Sequence, residues 1–373
     1  MVSEVTMAGW KRVLVTRVGS TTVQADRHAW AEQGMEELGG GIYRIPLPLP
    51  GDGLTAVNVY ALVSPDGVDL IDSGMALVQA RERLTEALAQ LGLVLGDIRN
   101  FFITHVHQDH YTLAVELRTT LAGKVSLGEG ERVNLEAIRS VHERRSDPGF
   151  IEMLYAMGAG HIADQVRGFL APGLADPQPS LVWSDPDHWL TDGAVLNLGP
   201  RTLRTIHTPG HTSGHVVFHD AASGILFAGD HVLPHITPSI GFQPNITRTA
   251  LAEYLSSLQL MLTLPDSKLF PAHGPVCDST HARVNELLEH HEKRLAQTLE
   301  ATSAGPVTAF AAAGEIPWTR RQRKFSELDP MSQLLAVGET AAHLEVLLTR
   351  GQLTRQRSPE GIESYAIPDS IAH

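Results

Sequence analysis

Seven consecutive residues, Thr104-His105-Val106-His107-Gln108-Asp109-His110, contain three imidazoles and a carboxylate. Neutral imidazole nitrogen and carboxylate oxygen are borderline ligands that suit a small divalent cation, and residues i and i+2 of an extended segment point the same way. Phe101-Phe102-Ile103 just before is apolar and β-prone, and Tyr111-Thr112-Leu113-Ala114-Val115-Glu116-Leu117 just after reads as a helix start. The cluster therefore lies where a buried strand passes into a loop, a common place for the chemistry of open α/β sheets. Histidines scattered on a surface loop are the bland alternative, and this density argues against it.

Four ligands are too few for two ions, but the chain supplies more at three later points. They are Thr208-Pro209-Gly210-His211-Thr212-Ser213-Gly214-His215, Ile225-Leu226-Phe227-Ala228-Gly229-Asp230-His231 and Leu269-Phe270-Pro271-Ala272-His273-Gly274. Each has the form strand, tight turn, ligand. Glycine lets the backbone bend and approach closely, and proline stiffens the turn. Val68-Asp69-Leu70-Ile71-Asp72-Ser73-Gly74 repeats the pattern with Asp72.

In these motifs and their order the chain resembles the metallo-β-lactamase-fold hydrolase superfamily over about residues 40 to 275. The resemblance implies one metal on His105, His107 and His211, a second on Asp109, His110 and His273, and Asp230 bridging the two. It gives Asp72 a supporting role behind the ligands. Two divalent ions are implied, zinc first, with iron or manganese accepted by the same donors. Water between two cations loses its proton near neutral pH while the cations polarise a carbonyl or phosphoryl oxygen, so no serine or cysteine nucleophile is needed. Asp109 is placed to orient the hydroxide and to pass a proton to the leaving group. His235 and Tyr111, close to ligands in sequence, are candidates to donate to an oxyanion. His215 is expected to hydrogen-bond near the site, whereas His231 should point away from Asp230.

The elements that must hold these residues read as a mixed α/β or α+β fold. The resemblance sharpens this to an αββα sandwich of two similar halves. Ile42 to Pro50 and Val57 to Val63 read as strands, the proline-rich one at an edge, and Pro65-Asp66-Gly67 as a hairpin turn. Residues 75 to 92 have helical apolar spacing through Leu77, Leu84, Leu88 and Leu91. Three units are expected: a leader over residues 1–37, a main domain over 38–280, and a helical and winged-helix-like tail over 281–373. A helical insertion at about residues 129–186 interrupts the main domain and could close over the metals, presenting Phe150, Met153, Tyr155, Met157 and Phe169 to substrate. Packing onto the core or onto a second subunit is the alternative for each. The tail has a strongly amphipathic helix over Leu335–Leu348 and a hairpin, similar to the winged-helix tail of one superfamily branch with thioesterase-like and endoribonuclease-like members. Its glutamates favour packing or assembly over DNA binding. Adjacent His290 and His291 diverge by about 100° on a helix, so they should not share a metal.

Composition limits the partners. With 29 Lys+Arg against 42 Asp+Glu the chain carries −13, which repels polyanions and argues against nucleic acid. The basic run Arg320, Arg321, Arg323 and Lys324 reads as a solvated helix end or linker. Hydrophobic content of 43% without an apolar run of spanning length argues against a membrane segment. The absence of a basic stretch leading an apolar core at the start, and a single Cys277 expected to be packed, suit a reducing cytoplasm. The expected reaction is hydrolysis of an ester-type bond, thioester or lactone, in a small-molecule acyl substrate. Single-stranded RNA phosphodiester cleavage, β-lactam hydrolysis and a non-catalytic metal-stabilised regulatory module are the alternatives, and a homodimer stays open.

Overall fold

The structure, a computed structural model, describes residues 29–32, 34–49, 54–144, 148–169, 183–240, 247–319 and 322–368. Most of the expected leader, the prolines Pro172, Pro177 and Pro179, the Phe169 side chain, Arg320 and Arg321 lie outside the described residues. A first sheet runs in sequential order through β1 (Glu36–Gly39), β2 (Ile42–Pro48), β3 (Ala56–Ser64), β4 (Gly67–Ile71), β5 (Ile98–Ile103), β6 (Lys124–Gly128) and β7 (His188–Leu190). A second sheet comprises β8 (Val195–Leu198), β9 (Arg201–His207), β10 (Val216–Asp220), β11 (Ile225–Gly229) and β12 (Lys268–Pro271), again each beside its neighbour in sequence. β1 pairs only as far as Arg44, so among the described residues Pro46 and Pro48 fall where β2 has no partner strand on that side, and their missing N–H groups cost no ladder bond there.

Two features of the strands make a layered sandwich. Side chains alternate across a strand, and both faces here are covered. Phe102, Ile71, Phe218, Phe227 and Phe270 meet between the two sheets. Phe101, Ile103 and Leu70 face the other way, onto α2 (Val78–Gln90) and α3 (Gln108–Arg118) through Leu84, Leu88 and Leu113. Val217, Leu226 and Ala228 of the second sheet face α7 (Ala250–Thr263), α8 (Thr280–Glu300) and α10 (Pro330–Thr349), with Leu258, Leu287 and Leu344 in the same cluster. Ahead of α2 lies the single turn α1 (Ala29–Glu32), and α9 (Ala309–Glu315) precedes α10. The Ser279 side chain accepts from Ala282 N to start α8; Asp329 accepts from Ser332 N to start α10, with Pro330 next. Among the described residues, no helix is long and apolar enough to cross a membrane.

The insertion contains α4 (Arg132–Arg144), α5 (Pro148–Ala156) and α6 (Gly160–Phe169). Its apolar residues find a different partner from the metal-facing one expected for a lid. Leu154, Ala159 and Ile162 join the cluster of the C-terminal helices, Phe310 N donates to Met157 O at 3.0 Å, and His161 packs edge-on to Phe310. Phe150, Met153 and Met157 line a cavity with Ala341, Ala342 and Arg248, and the Tyr155 hydroxyl donates to Asp164. The helix over Leu335–Leu348 also differs from its expected amphipathic form. It is buried on most of its circumference, because α7, α8 and α9 pack around it. After it, β13 (Thr354–Arg357) and β14 (Glu363–Ala366) form an antiparallel hairpin.

Candidate metal centre

The seven candidate donors all follow the C-terminal ends of strands. β4 and β5 run parallel and end at Asp72 and at Thr104-His105, while β11 and β12, also parallel, end at Asp230 and just before His273. His207 closes β9 and the following turn carries His211. His107 stands at the head of α3, whose first turn holds Asp109 and His110; the positive end of the helix dipole favours that carboxylate.

The side chains converge into two groups, His105 with His107, His211 and Asp230, and Asp109 with His110 and His273. In the first, His105 Nε2 is 3.0 Å from His107 Nδ1, which is 3.1 Å from His211 Nε2. Asp230 Oδ2 lies 3.4 Å from His211 Nε2 and 3.9 Å from His105 Nε2. In the second, Asp109 Oδ2 lies 3.5 Å from His110 Nε2 and 3.4 Å from His273 Nε2. Asp230 Oδ1 reaches these same nitrogens at 3.7 and 3.4 Å, so one carboxylate offers an oxygen to each group. A tetrahedron with arms of about 2.1 Å has edges of roughly 3.4 Å, close to these separations. His110 Nε2, His273 Nε2 and Asp230 Oδ1 are buried with no hydrogen-bond partner among the described residues. Buried polar atoms without partners are costly, and a divalent cation at their meeting point satisfies all three.

The far side of four of the five rings is held. His273 Nδ1 is 2.8 Å from Ala56 O, His211 Nδ1 2.9 Å from Ser239 O, and His110 Nδ1 2.9 Å from Asp72 Oδ2. These contacts would fix the tautomer and aim the other nitrogen at the point where a cation would be held. Asp72 also accepts from Thr104 N at 2.8 Å, and Thr104 Oγ1 lies 3.1 Å from His105 Nδ1. His215 is wholly buried, its Nδ1 2.9 Å from Thr208 Oγ1 and its Nε2 accepting from Asp230 N at 3.2 Å.

Charge in the centre follows from burial and crowding. Burial pushes His105 well below its ordinary value and His107 down to about 3, which keeps both rings in the neutral, ligating form. Burial opposes charging His110 too, but Asp109, Asp72 and Asp230 outweigh it and hold the ring up to about 10. His273 is raised for the same reason, by Asp230 and Asp109 against its burial. Burial alone would raise the carboxylates; the surrounding imidazoles hold both Asp109 and Asp230 below the usual range. The excess negative charge that these protons answer is the charge a bound cation would answer.

Tyr111 is not brought to this convergence. The ring sits in the core beneath the first sheet, and its hydroxyl donates to Ser184 O at 2.6 Å, because the first turn of α3 rotates successive residues to different faces. His235 instead lines a cavity of about 620 Å³ shared with His273. His231 is absent from both groups; it is buried beside Tyr254, and burial pushes its ring down to about 3. His291 faces His343, 3.2 Å away, and His290 lies on the cavity wall.

Several residues in the site were not singled out from the sequence. Asn58 Nδ2 donates to Pro271 O at 2.9 Å and Gly274 O at 2.8 Å, and Tyr60 Oη donates to Pro271 O at 2.7 Å, clamping the turn that carries His273. An asparagine inside the apolar strand Val57-Asn58-Val59 was the available signal. Glu131 is fully buried, accepts from Thr212 Oγ1 beside His211 and from Asn134 Nδ2 at 2.6 Å, and is raised by burial. Nothing in its local sequence distinguishes it from a surface glutamate.

Residues 52–273, more than half of the chain, match the family described as the Metallo-beta-lactamase superfamily. The chain belongs to that superfamily, with its mixed α/β fold, and is a metal-dependent hydrolase whose His/Asp cluster suits divalent metal. It is 25% identical over 321 residues to the Probable metallo-hydrolase YqjP of Bacillus subtilis (strain 168), covering 83% of this chain and 92% of that one. Among solved structures it is similar to the metallo-beta-lactamase family protein TTHA1429 from Thermus thermophilus, with TM-score 0.69, 28% identity, and 89% and 100% of the respective chains covered. It is also similar to a Beta-lactamase domain protein from Burkholderia ambifaria, with TM-score 0.69, 26% identity, and coverage of 90% and 93%.

Proposed function

We propose that the protein is a dinuclear hydrolase of an ester-type bond, thioester or lactone, in a small-molecule acyl substrate. The observation that carries this is the presentation of Asp230 Oδ1 and Oδ2 to two separate sets of imidazoles, beside a cavity whose wall includes Leu54, Ile236, Leu287, Pro317 and Trp318. His105, His107 and His211 would hold one ion and Asp109, His110 and His273 the other, with Asp230 shared. When bound, two divalent cations, zinc by preference and iron or manganese by the same donor chemistry, acidify a water and polarise the carbonyl.

The chain's own groups do the rest. Asp109, half-buried at the head of α3 and ionised at rest, would accept the proton that the attacking water gives up and pass it to the departing oxygen or sulfur. His235, exposed on the cavity wall, is placed to donate to a carbonyl oxygen. Asp72 and His215 act through the ligands, by orienting His110 and the Asp230 backbone. The tail, with its helices and hairpin, is read as a winged-helix-like unit used in packing. Arg248 faces Glu345 and Glu363 at 2.8 Å and Arg355 faces Glu345 at 2.6 Å, so these cations are answered within the tail, which weakens the RNA alternative.

Elemental analysis of purified protein and a panel of acyl thioesters, lactones and a labelled RNA oligonucleotide test this reading. Turnover of thioesters or lactones that chelation abolishes is expected, with about two metal equivalents per chain. His107→Ala and Asp230→Ala should each lose metal and activity together while keeping the circular dichroism spectrum of the parent. Undiminished turnover in either variant, or cleavage confined to the oligonucleotide, would refute it.

A further inference from the structure

We propose that the cavity beside His273 includes a subsite for an anionic group on the substrate, carboxylate or phosphate, built around Arg294 with His290 beside it. The proposal deepens the acyl-hydrolase reading and rests on it for which part of the ligand reacts. Arg294, one turn beyond His290 on α8, lines the same cavity as His273, yet its side chain is almost fully buried. Its guanidinium carbon lies over the Trp318 ring, 4.2 Å from the centroid. Nη1 donates to Gln297 Oε1 at 3.2 Å and to Pro317 O at 3.1 Å, which fixes the plane of the group. Nε is 3.5 Å from Glu339 Oε1, longer than the roughly 2.7–2.9 Å of a charge-assisted hydrogen bond. The contacts described for Arg294 use Nε and Nη1, which leaves Nη2 as donor capacity on a desolvated cation at a cavity wall.

Arg283 makes the contrast. It lines the same cavity, but Nε donates to Leu233 O at 2.6 Å, Nη2 to Ile236 O at 2.9 Å, and Nη1 to Glu286 at 2.7 Å. Nε and Nη2 hold the loop that carries His235, and Nη1 is paired with Glu286 one turn along α8. Arg294 keeps donor capacity that Arg283 has spent. Among the described residues, the cavity wall sets one carboxylate, Glu339, against two arginines and His290, in a chain whose overall charge is −13. A buried guanidinium with a fixed plane and a weakly engaged counter-ion favours a planar or tetrahedral oxyanion over a neutral group of the same size. At about 620 Å³ the cavity accommodates an acyl compound that reaches both His273 and Arg294.

Binding, measured apart from turnover, tests this. Three unreactive thioethers of equal length, ending in carboxylate, phosphonate and carboxamide, are titrated calorimetrically into metal-loaded and metal-free protein. An anionic ligand is expected to bind at least about tenfold more tightly than the carboxamide, equivalent to roughly 1.4 kcal/mol; the order of carboxylate and phosphonate identifies the natural group. Arg294→Gln should erase that preference and leave carboxamide affinity unchanged. Glu339→Gln, which removes the competing carboxylate, should raise anion affinity several-fold, and it keeps the test open should Arg294→Gln fail to fold. Equal affinities for the three ligands, or a preference that Arg294→Gln preserves and Glu339→Gln does not increase, would overturn the proposal. Because the ligands are not hydrolysed, failure here is separate from failure of the thioesters and lactones to turn over.

Discussion

Asp72 concentrates the residue-scale physics of the centre. Its backbone is held at φ +59°, a conformation that L side chains other than Asn and Asp rarely adopt. That turn directs one oxygen to Thr104 N and the other to His110 Nδ1, so one carboxylate fixes both the strand end and a ring. Asp72→Ala should weaken metal binding by about 10- to 100-fold without removing a ligand. Chelator competition measures it, and an affinity equal to that of the parent would show that His110 needs no support. The seven donors were legible because imidazole and carboxylate residues clustered beside glycine at strand ends have few other uses. Asn58 and Glu131 were not, since their importance lies in which distant carbonyl or hydroxyl they meet.

At the scale of elements, the turns decide whether the donors converge. Gly210, between Pro209 and His211, has φ +137°, and a Cβ there would meet the Tyr254 backbone and Cβ at 2.4–2.6 Å. Gly214 leaves still less room, its missing Cβ falling 2.0 Å from Glu131 N. Gly210→Ala should therefore cost about 2–3 kcal/mol and displace His211. A melting temperature and metal content both unchanged from the parent would contradict this. The insertion illustrates the opposite case. Phe150, Met153 and Met157 announced a face that had to be covered, but periodicity does not name the covering surface, and that surface proved to be the C-terminal helices.

For the whole molecule, the C-terminal helices share one apolar cluster with the second sheet, so their packing belongs to the stability of the site-bearing body. Within it, His291 and His343 face each other across α8 and α10, and His343 Nδ1 also reaches Glu339 O at 2.7 Å. Burial holds His291 well below its ordinary value and His343 down to about 4. The unfolded chain takes up protons near pH 6.5 and the folded one does not, so this stability is complete above about pH 6.5 and is lost as pH falls toward the folded values. Each such ring contributes a slope of up to about 1.4 kcal/mol per pH unit. His343→Gln should flatten the fall of melting temperature between about pH 6.5 and 4, whatever it does to stability at neutral pH. An unaltered slope would show that the pair does not titrate with unfolding.

Candidate ligand types, their order, the glycine-marked turns and the alternation that buries both faces of the strands could be read along the chain, because they are local properties and local properties are written in neighbouring residues. Tertiary structure alone decided that Asp230 offers one oxygen to each set of imidazoles, that Tyr111 turns to Ser184, and that Arg294 of α8 shares a cavity wall with His273. Those relations join segments far apart in the chain, and they depend on crossing distances and side-chain directions that no stretch of sequence contains.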